Sequence, residues 1–151
     1  MENIKITEFQ SEYTSQVKEL IQTVLGSLGI TAQNTKPNKD SDLDKISEIY
    51  SLRSRFWLAI LDNKLIGTVG IEEIDNDVAK LKRMFVLPEF QGSGVGQKLF
   101  DTALNFAIKN DYKKIKLNTD KVMKRAHNFY EKNGFSKSGE NEEKLFYERN
   151  F

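Results

Sequence analysis

The stretch from Leu81 to Leu99, LKRMFVLPEFQGSGVGQKL, constrains this chain more than any other segment. Its apolar, strand-like half ends at Pro88. Glycines at positions 92, 94 and 96 follow, and an amphipathic helix begins at about Val95. A strand that enters a helix through so many glycines brings backbone amides close to whatever lies beyond the turn, since no Cβ stands in the way. Those amides sit at a helix N-terminus, where aligned peptide dipoles favour anions. The physical reading is a phosphate or pyrophosphate seat built from backbone.

Around that seat the chain reads as one domain, 1–151, long enough for a real core. Its 23 basic and 22 acidic residues leave a net charge of +1, which gives no general attraction to nucleic acid or an anionic membrane. The absence of cysteine excludes disulfides, thiolate metal sites and a cysteine nucleophile. The opening MENIKITEF is too polar for a signal peptide, and no apolar run could span a bilayer, so a cytoplasmic protein is expected. Asp40, Asp42 and Asp44 imitate the start of a calcium loop. Lys45 stands where that loop needs glycine and Ser51 where it needs glutamate, so no metal is expected.

Periodicity supplies the elements. Ile4 and Ile6 alternate with polar neighbours, a strand over 3–9. Val17, Leu20, Ile21, Val24, Leu25 and Leu28 recur at helical spacing over 14–28, with Gly29 as the stop. The polar segment 29–41 reads as a mobile loop, and a second helix runs through Leu43, Ile46, Ile49 and Tyr50 with Ser41 or Asp42 as its N-cap. Strands over 56–61 and 65–74 flank a hairpin turn at Asp62-Asn63-Lys64, and a third follows over 78–86. After the helix at 95–109 come a strand around Ile115 and Leu117, and a helix over 122–133 with Val122, Ala126 and Phe129 inward. A last hairpin turns near residues 140–142. The order β-α-α-β-β-β-α-β-α-β-β implies an α/β (α+β-like) domain. A mixed, mainly antiparallel sheet would hold one central βαβ unit, with helices on both faces.

Three glycine-rich patterns compete for the turn. A Walker A loop ends in Gly-Lys-Ser/Thr, but Gly96 is followed by Gln97 and Lys98 with no hydroxyl next. A dinucleotide fingerprint needs Gly-x-Gly-x-x-Gly and an acid ~20 residues on. Here Gly94-x-Gly96 runs to Leu99, and Lys113, Lys114 and Lys116 stand near the acid's place. The third pattern is Gln-x-x-Gly-x-Gly at Gln91, Gly94 and Gly96, with Ala126-His-Asn-Phe-Tyr-Glu-Lys-Asn-Gly-Phe135 downstream. This ordered pair resembles the GNAT superfamily of acyl-CoA-dependent N-acetyltransferases. The resemblance covers residues 56–147, while the first 55 contribute only the expected β-α-α order.

The resemblance implies a coenzyme, acetyl-CoA, whose pyrophosphate rests on Gln91, Gly92, Ser93, Gly94, Val95 and Gly96. Its pantetheine arm would pair like an extra strand with Met84, Phe85 and Val86. That strand would splay from the parallel strand at 114–119 at a bulge, leaving amide groups for the arm. An N–H near Phe85 or Val86 would hold the oxyanion. Tyr130 matches the tyrosine that protonates the departing thiolate, a core tyrosine being the competing reading. Asn128 and Lys132 match positions that reach the coenzyme's polar end, with a solvated helix face as the alternative.

Two departures from the family pattern stand out. Lys80 occupies a position where several members carry a glutamate base, and Met123 replaces a frequent asparagine. Glu72 or Glu73, ending the preceding strand, could accept the amine proton directly or through water, or serve only as solvated charges. His127, the single histidine, reads as structural or a coenzyme neighbour. A basic run at 109–125 lies toward the coenzyme end. Glu72, Glu73, Asp75 and Asp77 form an acidic counterpart that would suit a cationic acceptor. The expected activity is direct acetyl transfer to a primary amine of a small molecule in a ternary complex. Protein N-termini or lysines as acceptors, or a non-catalytic acyl-CoA-binding module, are the alternatives, and a homodimer stays open.

Overall fold

The computed structural model describes residues 3–30 and 41–151; the loop read over 29–41, with Asp40, falls mostly outside the described residues. Alternating apolar residues lay β1 (Ile4–Glu8) antiparallel to β2 (Arg55–Leu61). A tight turn then reverses the chain into β3 (Lys64–Glu73), with Asp62 and Asn63 both left-handed at φ 49° and 66°. Positive φ at both central residues is the turn geometry whose twist matches the strands it joins. β3 pairs with β4 (Val78–Val86), and the seven-stranded sheet runs β1-β2-β3-β4-β5-β7-β6. Here β5 is Lys114–Asp120, β6 Ser136–Glu140 and β7 Lys144–Asn150.

Residues 65–71 of β3 are all buried, so both faces of this central strand are covered. On one face α1 (Thr14–Ser27) buries Val17, Leu20, Ile21, Val24 and Leu25; on the other α3 (Val95–Lys109) buries Val95, Leu99, Phe100, Ala103 and Ala107. These are the stripes that the helical spacing implies, except that Leu28, at the C-cap past the end of α1, is exposed.

The βαβ unit is β4-α3-β5. Its parallel pairing holds only at Val78↔Lys114, Ala79↔Ile115 and Lys80↔Lys116, after which the two strands separate. A bulge drives the separation. Thr68 faces Phe85 while Gly70 faces Lys82, so β4 carries one extra residue there. Arg83 takes up the distortion with φ 53°. Side-chain bonds hold it. Thr68 Oγ1 donates to the Arg83 carbonyl at 2.7 Å. The Arg83 guanidinium grips Asp42, with Nε 3.1 Å from Oδ2, and the Tyr50 hydroxyl donates to the same oxygen at 2.9 Å.

Two sequence expectations need correction. No helix is capped by Ser41 or Asp42. A 3₁₀ turn at Ser41–Asp44 leads into a single α-turn, α2 (Ile46–Ile49), because the Asp42 carboxylate is spent on Arg83 and Tyr50. The helix expected over 122–133 is α4 (Lys124–Lys132), and Val122, expected inward, is 55% exposed. The Met123 N–H bonds the Asp120 carbonyl at 3.0 Å, and that tight turn postpones the helix.

Candidate active site

Where β4 and β5 part, two clefts open. The first, of about 310 Å³, is bounded by Met84 and Val86 of β4, the glycine turn with the start of α3, and Arg125, Ala126, Phe129 and Tyr130 of α4. Gly94 forms the N-cap of α3 at φ 96°, with no side chain capping the first-turn amides. A Cβ at Gly94 would meet nothing within 4 Å, so the space before those amides is open.

Within the turn, side chains fasten the backbone, and the Gln91 and Ser93 N–H groups donate to the Pro88 and Phe90 carbonyls, both at 3.3 Å. Ser93 Oγ donates to the Phe90 carbonyl. Gln91 Nε2 donates to the Val86 carbonyl at 3.0 Å, tying the turn to the end of β4. Val95 contributes backbone only, because its side chain is fully buried. Along β4, the Leu87 N–H donates to Ile66 of β3 at 2.9 Å and Phe85 pairs with Thr68. Alternation then turns the N–H groups of Met84 and Val86, and not that of Phe85, toward the open edge.

Tyr130 lies where the clefts meet and lines both, as Met84 does. It is the one buried residue of α4, held at 5.7–6.3 Å between ring centroids by Phe129, Phe135 and Tyr147. Its hydroxyl has no hydrogen-bond partner among the described residues, and burial pushes its pKa above the ordinary tyrosine value. A phenol in that state keeps its proton and has a free donor to offer a ligand. It is also a weaker acid than its residue type alone suggests.

Sequence reasoning passed over Arg125 as a specific contact and placed it only in a basic run. Its guanidinium lies so close to the turn that a Cβ at Gly92 would stand 2.8 Å from Nη2, and it makes no ion pair among the described residues. The available signal was its position directly before Ala126 of the second motif. Gln97 was missed too; it lines the cleft and bonds Asn133 Oδ1 at 3.0 Å, joining α3 to the end of α4. Asn128 and Lys132 are exposed on α4 and line neither cleft. His127 is structural, its Nε2 2.9 Å from the Asp120 carbonyl.

The second cleft, of about 250 Å³, lies on the side of the sheet toward the end of α1. Its charged lining comprises Lys80, Lys82, Arg83, Lys144 and Asp120. None of Glu72, Glu73, Asp75 and Asp77, expected to form an acidic counterpart, lines this cleft. Glu73 pairs with Arg53, Asp77 with Lys113, and Asp75 Oδ1 closes the β3–β4 turn by accepting from two backbone amides. Glu72 stands opposite Lys80 across the β3–β4 pair, with its carboxylate 3.6 Å from Lys82 Nζ. Among the described residues no cluster of histidine and acidic side chains could hold a metal.

A sequence model of the Acetyltransferase (GNAT) family matches residues 18–135. The chain belongs to that family. An acetyltransferase from Streptococcus agalactiae superposes with a TM-score of 0.91 at 25% identity, covering 100% of both chains. The GNAT fold is shared with the PaiA N-acetyltransferase of Thermoplasma acidophilum, solved in complex with coenzyme A (TM-score 0.84, 22% identity, 98% of this chain and 99% of that one). N-acetylaspartate synthetase of Danio rerio is 35% identical over 91 residues, 60% of this chain and 32% of that protein. The chain therefore spans about a third of that relative's length.

Proposed function

We propose that this GNAT domain transfers an acetyl group from acetyl-CoA to the primary amine of a small molecule, by direct attack in a ternary complex. The observation that carries the reading is the junction of two clefts at Tyr130, one floored by uncapped helix amides and the other open to a second substrate. The pyrophosphate rests on the turn from Gln91 to Gly96, with Arg125 beside it and Asn128 and Lys132 serving the coenzyme's outer, polar part. The pantetheine arm lies along Met84 and Val86, whose free N–H groups pair with its amides and polarise the thioester carbonyl. The neutral amine attacks that carbonyl, the C–S bond breaks, and Tyr130 donates to the departing thiolate.

Two carboxylates stand near the incoming amine. Asp120 lines the second cleft but is held by Lys144 at 2.9 Å, whereas Glu72 has the looser contact with Lys82. The reading assigns proton removal, through water, to Glu72 and gives Glu73 no part, since it is committed to Arg53. A small acceptor fits a 250 Å³ cleft, and the N-acetylaspartate synthetases are named for acetylating a small amino acid. Both clefts are lined by one chain, so no second copy is required. The compartment is one that holds acetyl-CoA, the cytoplasm on this reading.

The test is thiol release from acetyl-CoA with a panel of amines and peptides, using wild type and Tyr130→Phe. Loss of one general acid lowers kcat by about 10²–10⁴, while coenzyme affinity stays because the ring still packs. Activity on peptides alone would make a protein the acceptor. Coenzyme binding without turnover would make the domain a binding module, and ping-pong kinetics would contradict direct transfer.

A further inference from the structure

Lys80 sits half-buried on β4 and lines the second cleft. Its neighbours are cations: Lys82 lies two residues on along the strand, Lys116 is its partner on β5, and Lys144 lines the same cleft. The acids nearby are already engaged. Glu72 pairs with Lys82, Asp120 with Lys144, and Asp42 with Arg83. Lys80 alone of the cleft's cations makes no ion pair or side-chain hydrogen bond among the described residues. Burial first, and the charge of Lys82 next, hold its pKa below the usual lysine range despite Glu72, with Lys116 and Lys144 adding to the effect.

A half-buried ammonium among other ammoniums, whose nearest carboxylate is shared with Lys82, is relieved when a ligand supplies further negative charge. The cleft wall thus has an anion-shaped vacancy in its charge pattern next to Tyr130 and Met84, where the reaction would occur. A diamine or other purely cationic acceptor would meet repulsion there. We propose that the acceptor is a primary amine that also carries a carboxylate, and that the Lys80 ammonium binds that carboxylate. This rests on the acetyl-transfer reading and narrows its substrate class. With the carboxylate on Lys80, the amine of the same small molecule lies toward Glu72 on the neighbouring strand and toward the end of the coenzyme arm.

The experiment measures acetyl transfer to glutamate, alanine and β-alanine, to their carboxamides, and to 1,4-diaminobutane. Binding of the same compounds to the protein in the presence of coenzyme A is followed by NMR. The prediction is that at least one free acid exceeds its carboxamide by roughly 10–100-fold in kcat/KM, the range of one charge-assisted bond, and that the diamine is poorest. Lys80→Gln raises KM for the acid by that factor, leaves kcat within a few-fold and leaves coenzyme affinity unchanged. Lys80→Arg restores most of the loss. Lys116→Gln, outside the cleft lining, changes KM less than about twofold, as an exposed charge does.

Equal use of acids and carboxamides, or a preference for the diamine, would overturn the proposal while leaving acetyl transfer intact. So would a Lys80→Gln variant that loses kcat equally on every acceptor. Lys80-dependent binding of the acids without any turnover would support the anion site and contradict the transferase reading instead. Absence of acid binding in the wild type overturns the site.

Discussion

Asp42 shows how one side chain can hold an active-site distortion from a distance. Burial raises its pKa, but the hydrogen bonds and charge of Arg83, helped by Tyr50, outweigh burial and hold the carboxyl below its ordinary value of 3.8. A carboxylate with a depressed folded pKa contributes stability above its unfolded value and loses it as pH falls through the folded one. Its contribution should therefore start to fall as pH drops below about 4, where the unfolded chain's carboxyl takes up a proton, and be gone once pH has passed below the lowered folded value. Asp42→Asn removes the carboxylate that the mostly buried Arg83 guanidinium grips, a loss of about 3–5 kcal/mol in urea unfolding at pH 7. That difference should shrink at pH 3; a constant difference would show that the pair carries no charge-dependent stability. Tyr130 has the opposite sign of consequence. Its raised pKa keeps the proton on the phenol through the neutral range, so phenol ionisation should cause no fall in kcat below about pH 10.

Among the elements, β4 does the most to make the site, and it does so by an irregularity. The extra residue at Arg83 bends the strand from β5, so that its outer edge is left for a ligand instead of a neighbour. Thr68, fully buried on β3, holds the bulge through its bond to the Arg83 carbonyl. Thr68→Val keeps the shape and deletes the donor to the part-buried Arg83 carbonyl, at a cost of about 1–3 kcal/mol. Thermal and denaturant unfolding would measure that cost. A loss of coenzyme affinity beyond what the lower stability explains would show that the bulge also sets the cleft, as this account requires.

The bulge marks the limit of what the chain's pattern reveals. The helices α1 and α3 and the hairpin at Asp62 follow from apolar spacing and turn residues, which act locally. The open glycine turn at Gly92–Gly96 before α3 was legible for the same reason, since it too is set by local residues. Asp42 misled as an N-cap because its partner, Arg83, lies 41 residues away. The acidic counterpart expected from Glu72 to Asp77 is absent from the second cleft for a related reason. The acids near residue 75 are contiguous in sequence, but each is neutralised or tied into a turn, while Lys80, Lys82 and Lys144 converge only through the sheet register. Arg125 was hidden among neighbouring cations; only the fold shows that it lies over Gly92.

For the molecule as a whole, the account holds that the sheet is rigid on one side, with β3 buried between α1 and α3, and parted on the other to admit acetyl-CoA. Gly96 tests this with least disturbance. It is helical, and a Cβ there would meet Met84 Cε at 3.7 Å and Val86 Cγ2 at 3.8 Å, ordinary contacts that need no rearrangement. Gly94 is less suitable, because its φ of 96° would strain any replacement. In Gly96→Ala the fold should be unharmed, even slightly steadier, since alanine inside a helix is favoured over glycine by about 0.5–1 kcal/mol. The new methyl group projects into the space assigned to the coenzyme. Calorimetric titration of acetyl-CoA into wild type and Gly96→Ala is the decisive measurement. The account predicts one site per chain in the wild type and an affinity at least about tenfold weaker in the variant, about 1.4 kcal/mol, with an unchanged or higher Tm. Equal affinities in the two proteins would contradict it.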